Sequence, residues 1–94
     1  MAVLTETEIR KSLETLKGWS LAGKTIERQL EFPDFKAAMK FVNAVAEAAE
    51  AANHHPDITI NYNKVRFVLT SHDSGGVTQR DIKMAGKINQ LFGK

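Results

Sequence analysis

Apolar and polar positions repeat along this chain with two different periods, and the switches between them mark out its elements. From about Thr5 to Lys17, Ile9, Leu13 and Leu16 recur at helical spacing. Thr5 with Glu8 forms a capping-box pattern at the start, and Gly18 is a stop. Alternation then takes over. Trp19-Ser20-Leu21 and Thr25 to Phe32 predict a hairpin turning at Ala22-Gly23-Lys24, with Ile26, Leu30 and Phe32 on one face. Pro33 and Asp34 open the longest helix, Asp34 to Asn53, whose apolar stripe is Phe35, Ala38, Met39, Val42, Val45, Ala46 and Ala49. A second row, Phe41, Ala44, Ala48 and Ala51, is small enough to let another helix approach closely, although alanine is also simply a good helix former.

Pro56 excludes the residue before it from helical geometry and so ends this helix. Ile58 to Tyr62 and Val65 to Ser71 read as two alternating strands with a tight turn around Asn63-Lys64. Asp73-Ser74-Gly75-Gly76 is a flexible loop. Thr78 with Asp81 caps a last helix whose Met84, Ala85, Ile88, Leu91 and Phe92 face inward. The order α-β-β-α-β-β-α predicts an α+β fold, a four-stranded, mainly antiparallel sheet packed by helices.

At 94 residues the chain is short enough that one domain, 1–94, is expected, with little stability to spare. The chain has no cysteine, which excludes disulfides, thiolate ligands and a cysteine nucleophile. Its beginning lacks the basic-then-apolar pattern of a signal peptide, and no apolar run approaches the roughly 20 residues of a membrane span. A cytoplasmic protein with no membrane partner is therefore expected. The net charge of +2 is weak. One basic helical stripe, Arg80, Lys83 and Lys87, is equally well explained as a solvated face, and without interleaved aromatics nucleic-acid binding is disfavoured.

The chemistry is concentrated elsewhere. All three histidines fall in one stretch, His54 and His55 before Pro56 and His72 at a strand end. Histidine both gives and takes protons near neutral pH, so the stretch is a candidate proton-transfer or metal site. Glu50 precedes His54 by one helical turn, so the two can meet and the carboxylate can orient the ring. The long helix also carries lysines near its positive end and glutamates near its negative end, against the macrodipole. Blander roles are available. Glu50 can be a solvated residue, His54 and His55 can relieve the helix C-terminus, His72 can bond loop backbone, and Asp81 sits where a capping carboxylate belongs. Zinc is disfavoured, because adjacent histidines diverge in extended chain and no helical His-x-x-x-His pair is present. Ser71-His72-Asp73 cannot form a hydrolase triad from consecutive residues.

His54-His55-Pro56, Tyr62-Asn63-Lys64-Val65, Leu69-Thr70-Ser71-His72 and Gly76-Val77-Thr78-x-x-Asp81 together resemble the pterin-4a-carbinolamine dehydratase family. The resemblance spans nearly the whole chain. It implies dehydration of a 4a-hydroxytetrahydropterin to the quinonoid dihydropterin in pterin recycling, with no metal and no bound cofactor. It implies His54 and His72 as the proton-transfer pair and His55 as a residue that binds and orients the pterin. Glu50 and Asp81 match supporting polar positions, while Thr70 and Ser71 line the pocket. Asn53 stands where members often carry aspartate, and Ile58 where they often carry an aromatic residue. Those departures bear on rate and substrate preference more than on reaction type.

The implied partners are the pterin, further copies of the chain in a homodimer or homotetramer formed through helices, and a pterin-dependent hydroxylase as metabolic partner. The alternative is a non-catalytic binding or assembly protein, or a transcription cofactor, on the same fold. Intact His54, His55 and His72 favour the enzyme.

Overall fold

The computed structural model describes residues 2–93, so Met1 and Lys94 of the expected 1–94 domain lie outside it. Helix α1 (Glu6–Leu13) starts at the anticipated capping box. The Thr5 side chain accepts from the Glu8 amide at 3.1 Å, and the Glu8 carboxylate accepts from the Thr5 amide at 2.8 Å. The helix ends before Lys17. Three-residue backbone bonds such as Leu16 N to Leu13 O replace helical ones and bring Leu16 and Trp19 into the core within a short span.

Strands β1 (Ser20–Ala22) and β2 (Thr25–Glu31) form the first hairpin, on Gly23-Lys24, with Gly23 at φ 60°. Strands β3 (Asp57–Asn61) and β4 (Lys64–Leu69) form the second, and the antiparallel order is β1-β2-β4-β3. The second turn is Tyr62-Asn63, one residue earlier than anticipated, because Lys64 already pairs with Asn61. Asn63 is tied to β2's end instead. Its carbonyl accepts from the Phe32 amide and its side-chain amide donates to the Phe32 carbonyl, both at 2.8 Å.

One sheet face carries Ile26, Leu30, Val65, Phe67 and Leu69 into the core, as the alternation requires. Arg28 shares that face, between Ile26 and Leu30. It is accommodated because its guanidinium donates to Asn89 Oδ1 at 2.6 Å and stacks over the Phe92 ring at 5.2 Å. Trp19 Nε1 donates to the same Asn89 oxygen.

Helix α2 (Phe35–Ala52) is capped by Asp34, whose side chain accepts from the Ala37 amide at 2.8 Å. It closes at Asn53 in the left-handed conformation (φ 50°, ψ 42°), before Pro56 comes into play. Its inward face is rotated from the anticipated stripe. Ala38, Val45 and Ala49 are buried, but Phe35 is 50% exposed and Ala46 is exposed. Phe41, from the second row, instead packs against Phe32, Phe67 and Phe92 at centroid distances of 5.2–5.9 Å. That row faces α3 (Gln79–Phe92) of the same chain: Phe41 touches Phe92, while Ala48 and Ala51 line a cleft between the two helices. Met84, Ala85 and Ile88 of α3 are buried as anticipated. Leu91 is half-buried and Phe92 is 39% exposed, its ring sealing the Phe32–Phe41 edge.

β4 stops at Leu69, short of Ser71, and Ser71 forms a separate bridge with Gly76. Backbone bonds from Gly75 and Gly76 back to Ser71 turn the expected flexible loop into a closed turn. His72 rides on that turn.

Candidate active site

A single buried carboxylate joins the histidine-bearing helix end to the strand end beyond β4. The capping box sets Asp81 in the first turn of α3, where it is 0% exposed. Its Oδ2 accepts from the Thr78 amide at 2.8 Å and from Ser71 Oγ at 2.9 Å. Its Oδ1 lies 2.5 Å from Nε2 of His54, itself buried. The directions in this network follow from proton counts. Ser71 has one hydroxyl proton, given to Asp81, so Thr78 Oγ1 donates to Ser71 Oγ at 2.9 Å while accepting from the Arg80 amide. A carboxylate facing three donors only accepts, so His54 carries its proton on Nε2 and leaves Nδ1 as the basic nitrogen.

Glu50 does not meet His54. The left-handed turn at Asn53 breaks the helical spacing, swings His54 inward to Asp81 and leaves Glu50 Oε2 2.5 Å from His55 Nε2. That pair is 78% and 55% exposed, so it orients a ring more than it stabilises the fold. Thr70 is committed to the Lys24 carbonyl at 2.8 Å. Asn53 is exposed, Pro56 half-buried, and His72 exposed one residue beyond Ser71. The structure thus brings His54, Ser71 and Asp81 into direct contact, with His55 and His72 attached as immediate chain neighbours. Among the described residues no hydrogen bond links one histidine to another.

Two residues of this region escaped the reading of the sequence. Thr78 was read as a cap and as part of the Gly76-to-Asp81 motif but given no site role, and its hydroxyl completes the Ser71–Asp81 network. Arg80 was visible only as part of a basic stripe, and it donates to Asp73 at 2.7 Å, tying the His72 turn to α3. That hydrogen bond holds the Asp73 carboxyl below its ordinary pKa of 3.8. A lowered folded-state pKa gives a contribution present above the unfolded value and lost as pH falls through the folded one. Protection of the Gly75 and Gly76 amides, relative to their intrinsic exchange at each pH, should therefore fall below about pH 4, and Asp73→Asn should show the reduced protection at neutral pH. Identical exchange in the variant would show that the tie does not hold the turn.

His54 stands at the end of a cleft of about 700 Å³ between α2 and α3, a size suited to a small molecule. Ala48, Ala51 and Ala52 make one wall, and Met84 lies in the other. Among the described residues no three His, Cys, Asp or Glu side chains are placed to share a metal ion, and no helix is long and apolar enough to cross a membrane.

The sequence pattern that defines the family Pterin 4 alpha carbinolamine dehydratase matches residues 2–91. The chain belongs to that family. A dehydratase-family relative from Koribacter versatilis, named "putative pterin-4-alpha-carbinolamine dehydratase", is 61% identical over 94% of each chain. One of the same name from Sulfurisphaera tokodaii is 52% identical over 98% of this chain and 99% of its own. The crystal structure of a transcriptional coactivator/pterin dehydratase from Brucella melitensis superposes with a TM-score of 0.91 at 40% identity, covering 95% of this chain and 97% of that one. A pterin dehydratase-like protein identified as a RuBisCO assembly factor in the alpha-carboxysome shares the dehydratase fold, with a TM-score of 0.70 at 21% identity over 82% and 92% of the two chains.

Proposed function

We propose that the protein dehydrates a 4a-hydroxytetrahydropterin to the quinonoid dihydropterin by histidine acid–base catalysis. The observation that carries this reading is the buried His54–Asp81–Ser71 chain at the end of a small-molecule cleft. Losing the 4a-hydroxyl as water requires a proton on that oxygen and removal of the proton from ring nitrogen N5. In this proposal His54, with Nε2 committed to Asp81, takes the N5 proton at Nδ1. His72, on the exposed turn, gives a proton to the departing hydroxyl, and His55 orients the ring with Glu50 behind it. The two protons return through solvent, so the protein ends as it began. No step is assigned to a metal or cofactor. The reading also places the protein in the cytoplasm, in pterin recycling, supplied with substrate by a pterin-dependent hydroxylase.

The test is the decay of enzymatically generated 4a-hydroxytetrahydropterin, followed by ultraviolet absorbance with a chelator present. Acceleration should survive chelation, and His72→Ala or His54→Ala should each lose at least about tenfold in kcat with the fold retained. Near-normal turnover in both variants would remove the acid–base assignment. No acceleration by folded protein would favour the rival reading, an assembly or transcription-cofactor protein on the same fold. The Brucella melitensis relative, a transcriptional coactivator/pterin dehydratase, is what keeps that rival in view.

We also propose that copies associate as dimers or tetramers through the side of α2 turned away from α3, where Phe35 and Ala46 are exposed. Ala46→Arg should lower the mass found by light scattering. An unchanged mass would exclude that face.

A further inference from the structure

We infer that the α2–α3 cleft contains an oxyanion subsite, so that the preferred pterin is one whose side chain ends in an anionic oxygen group. This rests on the dehydratase reading and narrows its substrate class. Arg80, Lys83 and Lys87 follow one another along one face of α3 and all line the cleft. Facing them are the uncharged side chains Ala48, Ala51 and Ala52. The nearest acids are engaged elsewhere. Asp81 is saturated by three donors, Asp73 takes one guanidinium nitrogen of Arg80, and Glu50 pairs with His55. Glu47 and Glu50 line a different surface depression, with Asn43 and Ala46. Among the described residues Lys83 and Lys87 form no ion pair, and Arg80 Nε is buried without a hydrogen-bond partner.

A concave, apolar-walled cleft lined by one sign of charge concentrates its field on a counter-ion. The dimensions also suit one ligand spanning both features. His54 is anchored at Asp81, and Lys87 lies about 9 Å further along the helix axis at 1.5 Å per residue. A pterin ring at His54 with its side chain laid along the cleft reaches Lys83 and Lys87. Lys83 and Lys87 are exposed, so a neutral polyol tail would leave them to solvent, whereas an anionic tail would pair with them.

The experiment compares three 4a-hydroxytetrahydropterins that differ only in the side chain: a neutral dihydroxypropyl group, its phosphate ester, and a carboxylate-terminated tail. In parallel, binding of the corresponding stable oxidised pterins is measured by fluorescence. An oxyanion-bearing substrate should exceed the neutral one by about tenfold or more in kcat/KM, chiefly through KM, with the advantage shrinking as salt rises. Which of the two anionic tails leads identifies the group. Lys83→Gln with Lys87→Gln should bring the ratio close to one, and Lys83→Arg with Lys87→Arg should keep it.

Acceleration with equal kcat/KM for all three substrates would overturn the subsite and leave the dehydratase reading standing. Absence of turnover with tighter, lysine-dependent binding of an anionic pterin would overturn the dehydratase reading and keep the subsite as a binding site. Neither turnover nor selective binding would overturn both.

Discussion

Asp81→Asn is expected to lower kcat by about 100-fold or more while the fold survives, because it reverses the proton arrangement of His54. The carboxylate accepts on both oxygens, from His54 on one side and from Ser71 and the Thr78 amide on the other. An asparagine offers one acceptor and one donor group. Keeping the helix cap points its oxygen at Thr78 and Ser71, and its NH2 then faces Nε2 of His54. His54 can meet that donor only by moving its proton to Nδ1, which removes the basic nitrogen the proposed mechanism uses.

The thermodynamic loss for Asp81→Asn should be about 1–3 kcal/mol, the cost of one mismatched buried hydrogen bond. Asp81→Ala removes the partner of three buried donors at once and should cost more, about 3 kcal/mol or above, at about 1–3 kcal/mol for each donor left unsatisfied. Nitrogen-15 spectra of the histidine ring and urea denaturation together check this. An Asp81→Asn protein that kept both the Nε2–H tautomer and full turnover would refute the site.

Phe67→Ala should be the most destabilising simple truncation. Phe67 is 0% exposed on β4, an interior strand of the sheet. It lies opposite Arg28 and Ile58 in register and packs edge-on against Phe41. Removing a buried phenyl ring costs about 3–5 kcal/mol, a fifth or more of the about 5–15 kcal/mol that holds a small domain together. Thermal unfolding should shift down by more than about 10 °C. Phe92→Ala, at a ring that is 39% exposed, serves as the comparison and should shift it much less. Equal shifts for the two variants would contradict the placement of the core.

The Asp81 and Phe67 predictions mark different limits of what a sequence discloses. Phe67 was legible as a core candidate because strand alternation is a local property: Val65, Phe67 and Leu69 share a face wherever the strand goes. The caps were legible for the same reason, since Thr5 with Glu8 and Thr78 with Asp81 are three residues apart and need nothing from the rest of the fold. The family motifs named the candidate site residues, yet the expected pairing between Glu50 and His54 was misread. Helical spacing pairs Glu50 with His54 only while the helix continues, and Asn53 ends it one residue too soon.

Asp81 shows the other limit. Its contact with His54 spans 27 positions and exists because α2's end and α3's start are brought together by packing. Arg28 on the core face, Phe41 in the aromatic cluster and the cations lining the α2–α3 cleft are of the same kind. By itself the sequence determined the element order, the α+β class, most of the core and the identity of the candidate chemistry, because periods, caps and motifs act over a few neighbouring residues. Only the tertiary structure decided which histidine holds the buried carboxylate, which helix the small-residue row faces and which cations line the cleft between them. Those outcomes depend on contacts between distant segments, whose geometry no local pattern encodes.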